Sequence, residues 1–585
     1  MRLPNLLATT RGRLTAFFCL YLTEGLPLGF AATAVATQLR RQGVGPAEIG
    51  LFVGSFYLPW AFKWAFGPFI DVFASDRLGR RRGWILGTQL MMAITLMSTV
   101  LLKLPEQLAL FTMILLVHNS FAAMQDVAID ALAVNTLHED ERGLANGLMF
   151  AGAAIGQVIG GSGVLFLSGY TGFQPTFFFV AGCILAVTVL VVLPLREPAG
   201  PPRPPVVGPK LRAAGREMRD FAVSSFRSFL GSRGAFSGLF YALLPPGAMC
   251  LGLALQSNLA VELGMDDDQV AWLNLCSGGI NAAFMVIGGR LSDRFGRRRM
   301  NFIYIAMMGL PVLYLANVLA GAGWIMPVAL DAANRPEVPA ALLAAFWTAT
   351  LAYNAVNGLM YGTNAAMYMD VTNPRVAGTQ FTAYMALMNL AIAYSAIWQG
   401  IAIEAWGYPK TMVIDAIFGL SCLLLIPLMR KANTDGGYAT DGAAAPRARG
   451  LAALLGVMCL AWLPYSTWQE LAGAARPIVS IFFTLVFVGS AVFLLAGAAV
   501  LGGTARRLSR VAPWVALLLL VMHARNHVDT IAGWLGVGAD SLRPVATVGF
   551  DVIALLGGVV LLLHALQPWS PLRETGDGTA SAGAG

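Results

Sequence analysis

Charge is what this 585-residue chain has least of: 12% of its residues are Asp, Glu, Lys or Arg, about half the share found in water-soluble domains. So few charges cannot cover a soluble globule. The solvent of most of the chain is therefore lipid, in keeping with 57% hydrophobic residues and a mean hydropathy of +0.67. Cysteine is scarce as well. The six (Cys19, Cys183, Cys250, Cys276, Cys422, Cys459) show no CxxC spacing and lie in or beside apolar runs, which argues against a disulfide framework or zinc module and makes them small core residues. No metal or cofactor is expected, and no enzymatic activity. The net charge of +8 does not imply nucleic acid, because the basic residues lie in short loops between apolar runs instead of on one solvated face.

What the chain has is apolar runs of spanning length, about sixteen of them. The first, from Leu14 to Leu39, carries no small-residue cleavage pattern and reads as a retained span, not a signal peptide. The expected architecture is an all-α polytopic membrane protein. Residues 1–195 form an N-terminal six-helix bundle, 196–234 a cytoplasmic linker and 235–430 a C-terminal six-helix bundle. A linker at 431–450 leads to an extra four-helix membrane block at 451–570 and a disordered tail at 571–585. The first linker is Pro-rich (EPAGPPRPPVVGPK) and then reads KLRAAGREMRDF, a short amphipathic helix. Most Lys and Arg fall on alternate loops, which places both termini on the cytoplasmic side of the inner membrane.

The two halves repeat. The loop after the second span reads GPFIDVFASDRLGRRR, from Gly67 to Arg82, and the loop after the eighth reads GRLSDRFGRRR, from Gly289 to Arg299. Each places a glycine where helices approach closely, an acid (Asp71 or Asp293) at a helix end, and an arginine cluster: Arg80, Arg81 and Arg82 in one copy, Arg294, Arg297, Arg298 and Arg299 in the other. The second copy resembles the signature motif of the major facilitator superfamily throughout; the first has an insertion between Asp71 and the arginines. That resemblance implies alternating access, two bundles rocking about a midplane site, with the motifs as conformational latches.

A narrower likeness lies in the first half. TEGLPLGF, LPWAFKWAFGPFID, GRRRGWILGTQ and MQDVAIDALAVNTLHEDERG together resemble the muropeptide permease (AmpG) family and its relatives, which include acetyl-CoA transporters and some siderophore permeases. The likeness covers about residues 14–200 well and the second half more loosely. It implies a secondary carrier for a large polar solute, coupled to protons.

Ionisable groups in mid-membrane are costly and few, so each is a candidate. Glu24, beside Gly25 and Pro27, is a proton-coupling candidate, with hydrogen bonding to a neighbouring helix as the plainer reading. Lys63 needs a partner. Asp126 and Asp130, four apart on one helix face, can pair with Lys63 or with the Arg80–Arg82 cluster; Asp130 is assigned to the latch, and Asp126, with Gln125 beside it, to the cavity. Asp370 is the second-half counterpart. His118 is a second proton-relay candidate, and equally a hydrogen-bonded core histidine. Asn354, Asn357, Tyr361, Asn364, Gln380 and Tyr384 supply amides and phenols that suit a neutral solute or hold helices together. Lys63 is the single cation inside the twelve-helix core, which argues against a polyphosphate cargo such as acetyl-CoA and leaves a siderophore open. The expected partners are a small polar solute, protons and the bilayer, with the chain a monomer.

In the C-terminal block, Arg525 and Asp529 stand four apart and are expected to neutralise each other, while His523, His527 and His564 could line a polar pocket or a docking surface against the transporter core, or ligate haem or metal. A membrane sensor or haem protein built on a transporter-like core is the rival from another class.

Overall fold

Backbone groups that leave water must pair within their own segment, so a chain this apolar folds as helices. The computed structural model describes residues 5–73, 77–138, 142–197, 209–329, 332, 335–372, 377–430, 444–498, 506–535, 538–567 and 569. The first half comprises α1 (Thr10–Arg41), α2 (Pro46–Ala61), α3 (Lys63–Val72), α4 (Arg82–Leu101), α5 (Leu108–Thr136), α6 (Arg142–Val158, continuing through Ile159–Gly163 into Val164–Thr171) and α7 (Pro175–Val192). After α8 (Lys210–Gly231), a 22-residue amphipathic helix longer than its sequence suggests, the second half comprises α9 (Arg233–Leu243), α10 (Ala254–Glu262), α11 (Asp267–Phe295), α12 (Arg297–Gly321), α13 (Ala340–Val371), α14 (Ala377–Trp406) and α15 (Tyr408–Leu428). The last helices are α16 (Ala444–Trp468), α17 (Arg476–Ala498), α18 (Arg507–Trp534) and α19 (Ala539–Leu566). Each half makes six passages, with α2–α3 and α9–α10 each forming one interrupted passage.

Among the described residues, twelve stretches are long and apolar enough to cross a membrane by length and composition. The sequence suggests about sixteen, and the difference has local causes. Ala444–Gly497 counts once but holds both α16 and α17, which part at Gly473 (φ 48°). The passage α2–α3 is interrupted at Phe62, α9–α10 is broken around Pro245 and Pro246, and α13 carries Asn354, Asn357 and Asn364 along its length. The tail 571–585 and most of the second linker lie outside the described residues.

The chain forms two compact units: Met1–Met218, Leu239–Asp370 and Phe381–Leu428 in one, Arg219–Gly238, Val371–Gln380 and Met429–Gly585 in the other. In the first, lipid offers no hydrophobic drive between helices, so small residues set the contacts. A Cβ on Gly25 would strike the carbonyl of Ala153, and one on Gly156 the carbonyl of Leu22, so α1 and α6 touch backbone to backbone. The same closeness joins α11 to α13 at Gly358 and, between the two halves, α2 to α14 at Gly50 and Gly400. In the second unit, α16–α19 pack around Trp462, Phe483, Phe487, Leu494, Leu519 and Leu561. The cysteines are free thiols; Cys250, Cys422 and Cys459 are buried as expected of core residues, whereas Cys276 is exposed.

Candidate transport site

The first half gathers its intramembrane charges into one cluster. Lys63 opens α3, just after the kink at Phe62, and its ammonium meets the Asp126 carboxylate of α5 at 3.0 Å, with the two side chains 16% and 5% exposed. The Glu24 carboxyl of α1 lies within reach of that same Asp126, and its Oε1 is buried with no hydrogen-bond partner among the described residues. One turn further along α5, Asp130 accepts from the Tyr21 hydroxyl at 2.5 Å. Three carboxyls thus surround one ammonium. Asp130, assigned from sequence to the latch, stands in the same charged cluster as Asp126 and Lys63.

Beneath the cluster runs a neutral hydrogen-bond chain across α7, α4, α1 and α5. Thr188 donates to Gln89 (2.7 Å), Gln89 and Gln125 donate to the Thr23 hydroxyl (3.2 and 2.9 Å), and Thr23 donates to the Leu20 carbonyl. It fixes Gln125 and the turn that carries Glu24. His118 is buried between α4 and α5, its Nδ1 3.0 Å from both the Thr95 hydroxyl and the Met92 carbonyl.

The polar residues of the second half divide into two sets. Tyr241 donates to Asn364 (2.7 Å), and Asn301 donates to both, a neutral network beside the stacked rings of Tyr368 and Tyr384. Asn354 donates to the Thr350 carbonyl, while Gln380 is buried near the start of α14. The other set faces open space. Tyr361, in the middle of α13, is 37% exposed yet within electrostatic reach of Lys63 and of Tyr57, both in the first half, and Asn357 one turn away is half-buried. Tyr361 of the second half thus stands near the Lys63 cluster of the first.

The two arginine motifs close differently. In the second, Arg297 binds Asp293 (3.1 Å) and Asp370 (2.9 Å), tying the start of α12 to the ends of α11 and α13; Arg294 lies over Phe295, and Arg298 and Arg299 are exposed. In the first, Arg82 donates to the Val192 and Leu193 carbonyls at the end of α7, and Glu197 accepts the backbone N–H groups of Arg81 and Arg82 at the start of α4. Arg80 is also engaged, and the Asp71 side chain lies outside the described residues. Close backbone approach, expected at Gly67 and Gly289, is absent there: a Cβ on either would meet its nearest neighbour at 3.9 Å. In the second half that role falls to Gly288, whose Cβ would strike the Leu359 backbone.

Several buried charges escaped the sequence reading. Lys63 is not alone: Arg40, at the end of α1, is 4% exposed and bound to Glu262, which is fully buried. Arg and Glu at span ends look like ordinary interfacial flanks, and nothing local marks them as a pair. Asp415 had a legible signal, an acid in the middle of α15. It accepts the N–H groups of Met249 and Cys250 (2.8 and 3.0 Å) and the Gln399 amide (2.7 Å), satisfying backbone that the break between α9 and α10 leaves without helical partners. In the C-terminal block the expected Arg525–Asp529 pair does not form. Met522–His527 is a 3-10 segment, which breaks the i,i+4 spacing; Asp529 instead binds Arg543 at 2.9 Å. Arg525 donates to Ser480, Thr484 and the Met522 carbonyl and lies 5.1 Å from the Trp462 ring centre. His564 bonds the Val560 carbonyl one turn back, and His523 and His527 lie with ring centres 5.3 Å apart. Among the described residues no three His, Cys, Asp or Glu are grouped to hold a metal.

Two six-passage halves of helices, a repeated Gly-Asp-Arg motif and a buried charged cluster in the first half define a multi-pass membrane transporter. The chain belongs to the Major Facilitator Superfamily, whose model matches residues 14–248 and again 238–524. Within it the chain is AmpG-like: it is 22% identical over 414 residues to the anhydromuropeptide permease of Escherichia coli K12, covering 70% of this chain and 78% of that protein. The fold is shared with a D-xylose–proton symporter (TM-score 0.53, 13% identity, 71% of this chain and 96% of that one). It is shared as well with the inward-open xylose transporter XylE from E. coli (TM-score 0.54, 13% identity, 74% and 98%).

Proposed function

We propose that the chain is a proton-coupled secondary carrier that moves a polar solute of the muropeptide class across the inner membrane by alternating access, with both termini cytoplasmic. The observation that carries the coupling is the contact of two carboxyls, Glu24 and Asp126, beside Asp130 and a single ammonium, Lys63. Two carboxylates within reach of each other cannot both stay ionised out of water, so one holds a proton. A cluster with more acids than bases changes its proton count whenever water reaches or leaves it. Tyr361 of the second half stands near Lys63 and Tyr57 of the first, so cargo passing between the halves there would meet the proton site directly. The muropeptide class rests on the likeness to the E. coli permease and on the shortage of cations at the cluster for a polyphosphate.

Proteoliposomes under an imposed pH gradient test this, with an anhydromuropeptide, a ferric siderophore and acetyl-CoA offered side by side. The anhydromuropeptide should accumulate uphill and the other two should not. Glu24→Gln should abolish that accumulation while sparing exchange of internal for external cargo, because exchange needs no net proton release. Undiminished accumulation in Glu24→Gln would remove Glu24 from the coupling step.

A further inference from the structure

The described side-chain bonds that join the two halves gather at one end of the molecule. Arg40 and Arg41 end α1, and the first arginine motif lies one passage later; Glu262 ends α10, and the second motif lies one passage after it. This end is therefore opposite the motifs. Into it the first half inserts a pair of arginines; Arg40 keeps one bond to its own half, to the Val44 carbonyl (3.0 Å), and the second half supplies the rest of the socket. Arg40 binds the Glu262 carboxylate directly and donates to the Val328 carbonyl (3.3 Å). The socket is itself braced. Tyr408 donates to Glu262 Oε1 (2.6 Å), the Val328 N–H to Oε2 (3.2 Å), and Arg335 to the Glu262 carbonyl. Arg41 forms an outer ring, reaching Asp267 at 2.7 Å and the Met265 carbonyl at 2.8 Å. Beside it Glu404 of α14 accepts the Ala47 N–H at the start of α2, where Gly400 lets the two backbones touch.

We propose that Arg40 and Glu262 are the lock that keeps the two halves closed at the end opposite the arginine motifs, and that the lock must break for the halves to part there. The argument rests on burial. Separating the halves exposes both charges to water, which recovers their hydration, whereas removing one partner leaves the other charge buried and unpaired in the closed state. A single neutralisation therefore penalises the closed state specifically. The outer pair is about 30% exposed (28% for Arg41, 32% for Asp267) and is screened by water, so its loss tips the balance much less. The lock requires neither a particular cargo nor a particular coupling ion, and it goes beyond the proposed function.

Pulsed electron-electron distances test it without a substrate. Spin labels on Gln42→Cys and Asp268→Cys, both exposed positions on opposite halves, report the opening in full-length protein whose accessible Cys19, Cys183 and Cys276 are replaced by alanine. The starting protein should give one short distance. Glu262→Gln and Arg40→Gln should each raise the separated fraction at least tenfold relative to the closed one, Arg40→Lys should fall between, and Asp267→Asn, labelled at Gln269→Cys instead, should change it less than threefold. Unchanged distances in both Glu262→Gln and Arg40→Gln would overturn the lock, as would an Asp267→Asn effect equal to theirs. Arg40→Lys keeps the buried charge, so it reads the pair even if a neutral variant folds poorly.

Discussion

The two halves build the same bond from different chemistry. In each, a tyrosine on the first passage donates to a side chain on the fourth: Tyr21 to Asp130 at 2.5 Å, and Tyr241 to Asn364 at 2.7 Å. The acceptor is a carboxylate in one half and a carboxamide in the other. Around Asp130 stand Glu24, Asp126 and Lys63; around Asn364 stand Asn301, the Tyr241 hydroxyl and the Tyr368 ring, with no carboxylate or cation bonded to Asn364 among the described residues. A neutral network can be fully satisfied and stay as it is. A charged one with surplus acid must exchange protons with whatever reaches it. Gene duplication of one scaffold would thus leave a titratable half and a half that only holds shape, and the proposed coupling places all proton traffic in the first.

The sharpest way to break that contrast is to make the first half resemble the second. Asp130→Asn keeps the Tyr21 bond but removes a titratable group, and uphill uptake driven by a pH gradient should fall about 100-fold, a magnitude typical of losing one proton-transfer group. Uptake that survives unchanged would confine the coupling to Glu24 and Asp126. The reciprocal change, Asn364→Asp, puts a carboxylate where no cation is bonded to it among the described residues. Ionised, it should cost about 2–4 kcal/mol of stability, because a buried charge without a counter-ion loses its hydration. Thermal melting in detergent reads this, and the loss should be larger at pH 8 than at pH 5, since protonation restores a neutral group. Equal melting temperatures for Asn364→Asp and the parent at pH 8 would mean that the second half solvates charge as well as the first.

Much of the fold was written in the chain: the apolar runs and the repeated arginine motif each follow from composition or local pattern. The charged cluster was legible in part, because Glu24, Lys63, Asp126 and Asp130 are mid-span ions and such ions are rare. Their grouping was not, since nothing local says that Glu24 turns to Asp126 or that Asp130 meets Tyr21. Asn364 and Tyr384 could be read from sequence as solute lining or as contacts between helices; the structure buries them in a network or a ring stack, while Tyr361 and Asn357 stay partly exposed. The Arg40–Glu262 pair was invisible because its members stand about 220 residues apart at helix ends, where charged residues are the rule. Arg525 and Asp529 illustrate the opposite error: correct spacing for an α-helix, in a segment that winds as a 3-10 helix.

The smallest effect expected is at the second arginine motif, and it separates a latch from a brace. Arg297 is 36% and Asp370 23% exposed, so water already screens their pair, and Asp370→Asn should lower stability by less than about 1 kcal/mol. In the first motif the corresponding job falls to Glu197, which accepts two backbone N–H groups at the start of α4 and so caps a helix. If the second motif is a conformational latch, Asp370→Asn should shift the distance distribution at the motif end while leaving melting almost untouched, because a two-state balance responds to a few tenths of a kcal/mol that global stability hardly registers. A melting shift of several degrees with no change in the distances would make Arg297 a structural brace, and the asymmetry between the halves would then be confined to their carboxyls.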